Sequence, residues 1–144
     1  FKATPLNNSL KLLANEGRPI QDHTFYRKVV GKLNFLSHTR PDIAFATQHL
    51  SQFLSSPREP HLEGSLHVLR YLDKDPGQGI LLNNHSSLHF QAFCDADWAA
   101  CPQTRRSISG YVIFLGDSLI SWRSKKQQVV SLSSADVSTD RLDV

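Results

Sequence analysis

The sequence has 144 residues, 40% hydrophobic and 20% charged, with a formal net charge of +3. That is enough apolar material for the core of one ordinary domain or of two incomplete ones, without a bias toward disorder. No apolar run approaches the length of a membrane span and the first residues lack a signal-peptide pattern, so no membrane partner is expected. Cys94 and Cys101 make neither a CxxC pair nor a disulfide framework, and the seven histidines are scattered without metal-ligand spacing. A reducing compartment and no structural zinc are expected. The chain begins at Phe1 rather than Met, which points to a fragment.

Residues 1 to 23 carry Pro5, Gly17 and Pro19 among polar residues and read as an irregular leader with at most a short turn of helix. Three helical patterns follow. Phe25, Val29, Leu33 and Leu36 recur at helical spacing, then Ile43, Ala46, Leu50 and Phe53, then Leu62, Leu66, Leu69 and Leu72. Pro41 with Asp42 opens the second pattern, Pro60 opens the third, and Pro57 separates them. Short connections predict a helical hairpin with a third helix laid against it.

Past "DPGQG" the period switches to two. Strands are predicted from Ile80, Leu81 and Leu82 onward, through residues 88 to 95, and over residues 108 to 115. Gly116 in "LGDS" suits the positive φ of a two-residue hairpin loop, with "LISW" as a return strand that ends in the basic "RSKKQ". After "VVSLSS", Ser133 or Ser134 reads as a helix cap with Asp136 in the first turn, and little chain is left to build that helix. The fold class is α+β: three helices followed by an antiparallel meander.

Within "FQAFCDADWAACPQTRRSISGYVIFLG", Phe90, Ala92 and Cys94 alternate with Gln91, Phe93 and Asp95, the pattern of a strand with one buried face. Asp95 and Asp97 then project to the same side. Two such carboxylates repel unless a cation sits between them, so spacing alone leaves either a solvated strand end or a hard-metal site, and favours the former. Arg105, Arg106, Arg123, Lys125 and Lys126 face only Asp117 between residues 102 and 128, a surplus able to hold phosphates or simply a solvated surface. Trp98 and Trp122 read as packing against strands rather than as base-stacking platforms. His61 and His67, six apart, point to different faces of the third helix and do not form a metal pair.

"YRKVVGKLNFLSHTRPDIAFATQHLSQFL", "HVLRYL", "PGQGI", "FCDADWAACPQTRRSISGYVIFLG" and "LISWRSKKQQVVSLSSA", in that order, resemble the copia-type long-terminal-repeat retrotransposon Pol polyprotein. The resemblance covers nearly the whole chain. It implies that residues 1–75 are the helical thumb and connection at the end of a reverse transcriptase, which grips primer and template but holds none of the polymerase aspartates. Residues 76–144 are then the front of a truncated ribonuclease H-like domain. In that family a cluster of carboxylates binds two magnesium ions and cuts the RNA strand of an RNA:DNA hybrid.

Asp95 matches the family's first metal-binding aspartate, which raises the metal reading of the acidic pair, while Asp97 has a subordinate role. The second carboxylate of the family is a glutamate in a motif like "SSAEAEY". Here "SSADVSTD" places Asp136 at that position, about 1.5 Å shorter in reach, with Ser138 and Thr139 replacing the next acid and the aromatic. The expected site is therefore Asp95 with a degenerate Asp136, and the expected contacts to nucleic acid are Arg105, Arg106, Lys125 and Lys126. Magnesium belongs to the parent enzyme and is not expected to bind this chain stably. The partners implied are an RNA:DNA hybrid, held weakly and electrostatically, and the remainder of the polyprotein, in an intracellular setting. The chain alone is expected to be catalytically inactive. The alternative is a non-catalytic nucleic-acid-binding or structural fragment.

Overall fold

The computed structural model describes residues 4–6, 12–84, 88–97 and 105–128. The chain divides into two units, Phe1–Gly79 and Ile80–Val144.

The first unit is helical. Helix α1 spans His23–Leu36, started by Asp22, whose Oδ1 accepts the Phe25 N–H at 2.8 Å. A 3-10 turn, Pro41–Ile43, leads into α2, Ala44–Ser51. Pro41 at its start sets the φ angle the turn needs. Helix α3 spans Glu59–Asp73, with Pro60 in its first turn. All three helices pack on one another around Tyr26, Val30, Leu33, Ile43, Leu50 and Val68, each essentially buried. The Tyr26 hydroxyl donates to the Leu50 carbonyl at 2.9 Å, which satisfies its polar tip inside that core.

The stripe expected on the second helix is the one buried: Ile43, Ala46, Leu50 and Phe53 all lie inside. The other two are rotated. In α1 the buried residues are Tyr26, Val29, Val30 and Leu33, while Phe25 and Leu36 face outward. In α3 they are His61, Gly64, Ser65, Val68 and Leu72, while Leu69 is exposed. The physical reason is close approach. Leu50, Leu6 and Leu12 all come within 3.6 Å of where a Gly64 side chain would start, so the inner face of α3 takes small residues.

The leader is irregular, as expected, yet it completes the core: Leu6 and Leu12 are buried. Its backbone pairs with the start of α3 through an antiparallel bridge between Pro19 and Arg58. At the other end of the unit, Arg40 is buried against Asp42. Its Nε donates to Oδ1 at 3.0 Å and its Nη2 to Oδ2 at 2.8 Å, and its Nη1 donates to the Asp75 carbonyl at 3.0 Å. Tyr71 adds a hydroxyl bond to Asp42 at 2.8 Å. This cluster ties the α1–α2 connection to the end of α3.

The second unit is a three-stranded antiparallel sheet, β1 Phe90–Asp97, β2 Ile108–Leu115 and β3 Ser118–Lys126, in the order β1-β2-β3. Gly116 and Asp117 form the two-residue loop between β2 and β3, with Gly116 at φ 58°. A positive φ at the first central position is what a type II′ hairpin requires. Two expectations fail here. Residues 80 to 82 are not a strand, and Leu81 and Leu82 are exposed; no partner strand pairs with them among the described residues. The alternation in β1 is real but buries neither side: residues 90 to 95 are all exposed, with Phe90 at 71% and Phe93 at 56%.

Candidate functional site

The sheet register decides which candidate residues stand together. Residues directly opposite one another across antiparallel strands share a face. Asp95 pairs with Gly110, and Gly110 with Ser124; Phe93, Val112 and Trp122 form the next row on that face. Glycine and serine beside Asp95 leave its carboxylate uncovered, and it is exposed. Its Oδ1 accepts the Ala96 N–H at 2.8 Å, a local bond that turns the carboxylate back on its own strand. Asp97 follows in the same strand, opposite Ile108. Asp136, with the helix start expected around it, lies outside the described residues, as do Trp98 and Cys101. Trp122 is half-buried within β3. Among the described residues no group of three or more His, Cys, Asp or Glu side chains is placed to hold a metal ion. A hard cation takes six or more oxygen ligands, and the described residues offer it Asp95 without converging partners, so they do not fit a magnesium site.

The basic surplus is divided by the same register. Arg123 lies opposite Tyr111, itself opposite Cys94, and Lys125 lies opposite Ser109, itself opposite Ala96; both cations are exposed on that face. Lys126 lies opposite Ile108 on the other face, the one that carries Asp95. Arg105 is exposed at φ 54°, in the left-handed region that a non-glycine residue seldom adopts, and Arg106 is half-buried just before β2. Strand alternation thus sets Arg123 and Lys125 on one face of the sheet and Lys126 on the other, with Arg105 and Arg106 in the segment before β2.

The helical unit holds two features that periodicity did not pick out. The first is an open groove of about 500 Å³ between α1 and the end of α2, lined by Arg27, Gly31, Asn34, Ser51, Leu54 and Ser55. Arg27 Nε donates to the Leu54 carbonyl at 2.9 Å across it. Its sequence signal is a polar stripe on α1 at Arg27, Gly31 and Asn34, positions i, i+4 and i+7. The second is His61, fully buried and stacked on Phe53 at a centroid distance of 3.8 Å. Burial holds its pKa below the ordinary imidazole value, the bond to the Leu13 carbonyl opposes that shift, and the charge of Arg58 reinforces it. His61 and His67 do diverge: His61 reaches the Leu13 carbonyl at 3.0 Å and His67 the Thr4 carbonyl at 3.2 Å.

The chain is 44% identical over 133 residues to the retrovirus-related Pol polyprotein from transposon RE1 of Arabidopsis thaliana, and 42% identical over 134 residues to that from transposon RE2 of the same plant. These matches cover 92% and 93% of the chain but 9% of each polyprotein. Secreted RxLR effector protein 161 of Plasmopara viticola is 41% identical over 112 residues, which are 77% of this chain and 79% of that protein. No family model matches, and no solved structure matches. The chain belongs to the copia-type retrotransposon Pol polyprotein family and corresponds to a fragment of it.

Proposed function

We propose that the chain is a non-catalytic fragment spanning the thumb and connection of a reverse transcriptase, residues 1–75, and the front of a ribonuclease H domain, residues 76–144. The observation that carries this reading is the exposed Asp95 near the end of the first strand of an antiparallel meander, with Gly110 and Ser124 beside it and no converging acids among the described residues. Two-metal hydrolysis needs several carboxylates around ions about 3.5–4 Å apart. Asp95 and the shortened Asp136 do not supply them, so Asp136→Glu restores nothing by itself.

Contact with an RNA:DNA hybrid is then electrostatic, through Arg105, Arg106, Lys125 and Lys126 on the phosphates. These groups carry no arrangement for reading base edges. With Lys125 and Lys126 on opposite faces, few phosphates are engaged at once, so the slope of affinity against salt is small and the affinity weak. Titration of a labelled hybrid at increasing salt tests this. Binding is expected to fall with salt and to be lost when the four residues are changed to Ala. Binding that survives high salt, or is unmoved by the four changes, overturns the mode of contact.

A further inference from the structure

We propose that residues 12–20 form a detachable strap across the start of α3, latched by the neutral form of His61 and released by acid while the three helices stay folded. Both ring nitrogens of His61 are committed. Nδ1 accepts the Arg58 N–H at 3.0 Å, so Nε2 carries the proton and donates it to the Leu13 carbonyl at 3.0 Å. The first bond caps α3, with His61 in the place where a glutamate or glutamine usually sits. The second holds the leader. Protonation puts a second N–H at Nδ1, pointed at the Arg58 N–H, so donor faces donor and the cap on the turn at residues 57–61 fails; the Nε2–H bond to the Leu13 carbonyl survives it, and release turns on the Arg58 side of the ring.

Burial and the charge of Arg58 oppose a charge on the ring, and the Leu13 carbonyl favours it. Arg58 at the head of α3 is the charged group acting on it, Phe53 beyond α2 covers its face with His49 edge-on behind at 5.8 Å, and the leader contributes the Leu13 carbonyl. The other strap bonds converge on the same turn: Arg58 Nη1 to the Gly17 carbonyl at 2.7 Å, the Glu59 N–H to the Arg18 carbonyl at 2.9 Å, and the Ile20 N–H to the Pro57 carbonyl at 3.3 Å. Gly17, at φ +83°, passes so close to Pro60 that an added Cβ would sit 2.4 Å from its ring. One ring therefore governs a cluster of contacts confined to residues 57–61. Tyr26, Val30, Leu33, Ile43, Leu50 and Val68 come from the helices and the turn before α2; the strap adds Leu12 to their cluster, with Ala14 and Ile20 packed against it, so release is expected to remove those three and leave the contacts among the helices in place. Release withdraws Leu12 and bares α3 at Gly64, where its methyl lies 3.6 Å from the Cβ position.

The test is backbone amide exchange on the full chain at about pH 7.5 and about pH 5.5, corrected for intrinsic exchange rates, a range that brackets the ordinary imidazole pKa. The Ile20 and Glu59 amides are expected to lose about tenfold in protection on acidification, while those of Leu33 and Val68 hold. His61→Gln, which keeps a capping side chain but cannot take up the charge, is expected to flatten that response. Strap amides unmoved by pH in the wild type, an equal response in His61→Gln, or loss of the Leu33 and Val68 amides in step overturns the proposal. Should His61→Gln not fold, Gly17→Ala replaces it: strap amides open at about pH 7.5 with the core amides protected support the latch, and a uniform loss or no loss overturns it.

Discussion

Arg40 and Asp42 stand two residues apart in "HTRPD", and burial alone would make either of them costly. Burial pushes the Asp42 carboxyl toward its neutral form, but hydrogen bonds from Arg40 and Tyr71 outweigh it and hold the pKa below the usual carboxylate range. Arginine suits the place because its planar fork spans both carboxylate oxygens and still reaches the Asp75 carbonyl. Lysine keeps the charge and loses the fork, so Arg40→Lys is expected to cost about 2 kcal/mol in urea unfolding. The contribution of Asp42 is fully present above the unfolded carboxylate value of about 3.9 and is lost as pH falls through its lower folded value. The stability gap between wild type and Asp42→Asn should therefore hold from about pH 7 to about pH 5 and close below about pH 4. A gap unchanged at about pH 2 would contradict the cluster as described.

At the scale of elements, two glycines separate backbone need from mere tolerance. Gly31 sits inside α1 with nothing near its Cβ position, whereas Gly17 is held at φ +83° against Pro60. Gly31→Ala should raise stability by up to about 1 kcal/mol, and Gly17→Ala should lower it by more than that, as thermal unfolding of each variant will report. The helices were legible in the sequence for a related reason: Pro41 and Pro60 mark the starts of the second and third patterns, and the apolar period marks the extent of all three; the Asp22 cap of α1 emerged only from the structure. Which face turned inward was legible only for the helix with Leu50, where a single apolar stripe exists. On α3 the large residues Leu62, Leu66 and Leu69 outline one stripe, yet packing chose the adjacent one through Gly64 and Ser65. Periodicity weighs size and hydrophobicity; helices that approach closely select for smallness. His61 escaped for the same reason, as an imidazole counts as polar until Phe53 and the leader enclose it.

At the scale of the whole molecule, every buried apolar residue described belongs to the helical unit, and the sheet shows exposed Phe90 and Phe93 instead. The turn at Gly116 and the two strands it joins were readable because the loop chemistry is local. The failure of Ile80, Leu81 and Leu82 to join a strand was not, since a strand needs a partner as well as β-forming residues. The same distinction governs the candidate site. The motif names Asp95, but the number of carboxylates that converge on it is a property of neighbouring elements, and the register places Gly110 and Ser124 there. Catalysis by two metals depends on that convergence, and the proposed inactivity rests on finding no acids that converge on Asp95 among the described residues. Hydrolysis of a labelled RNA:DNA hybrid by the full chain, with magnesium or manganese and beside Asp95→Asn, tests this most directly. Neither protein is expected to release more product than a protein-free control; product formed by the wild type and absent with Asp95→Asn would contradict the proposed inactivity.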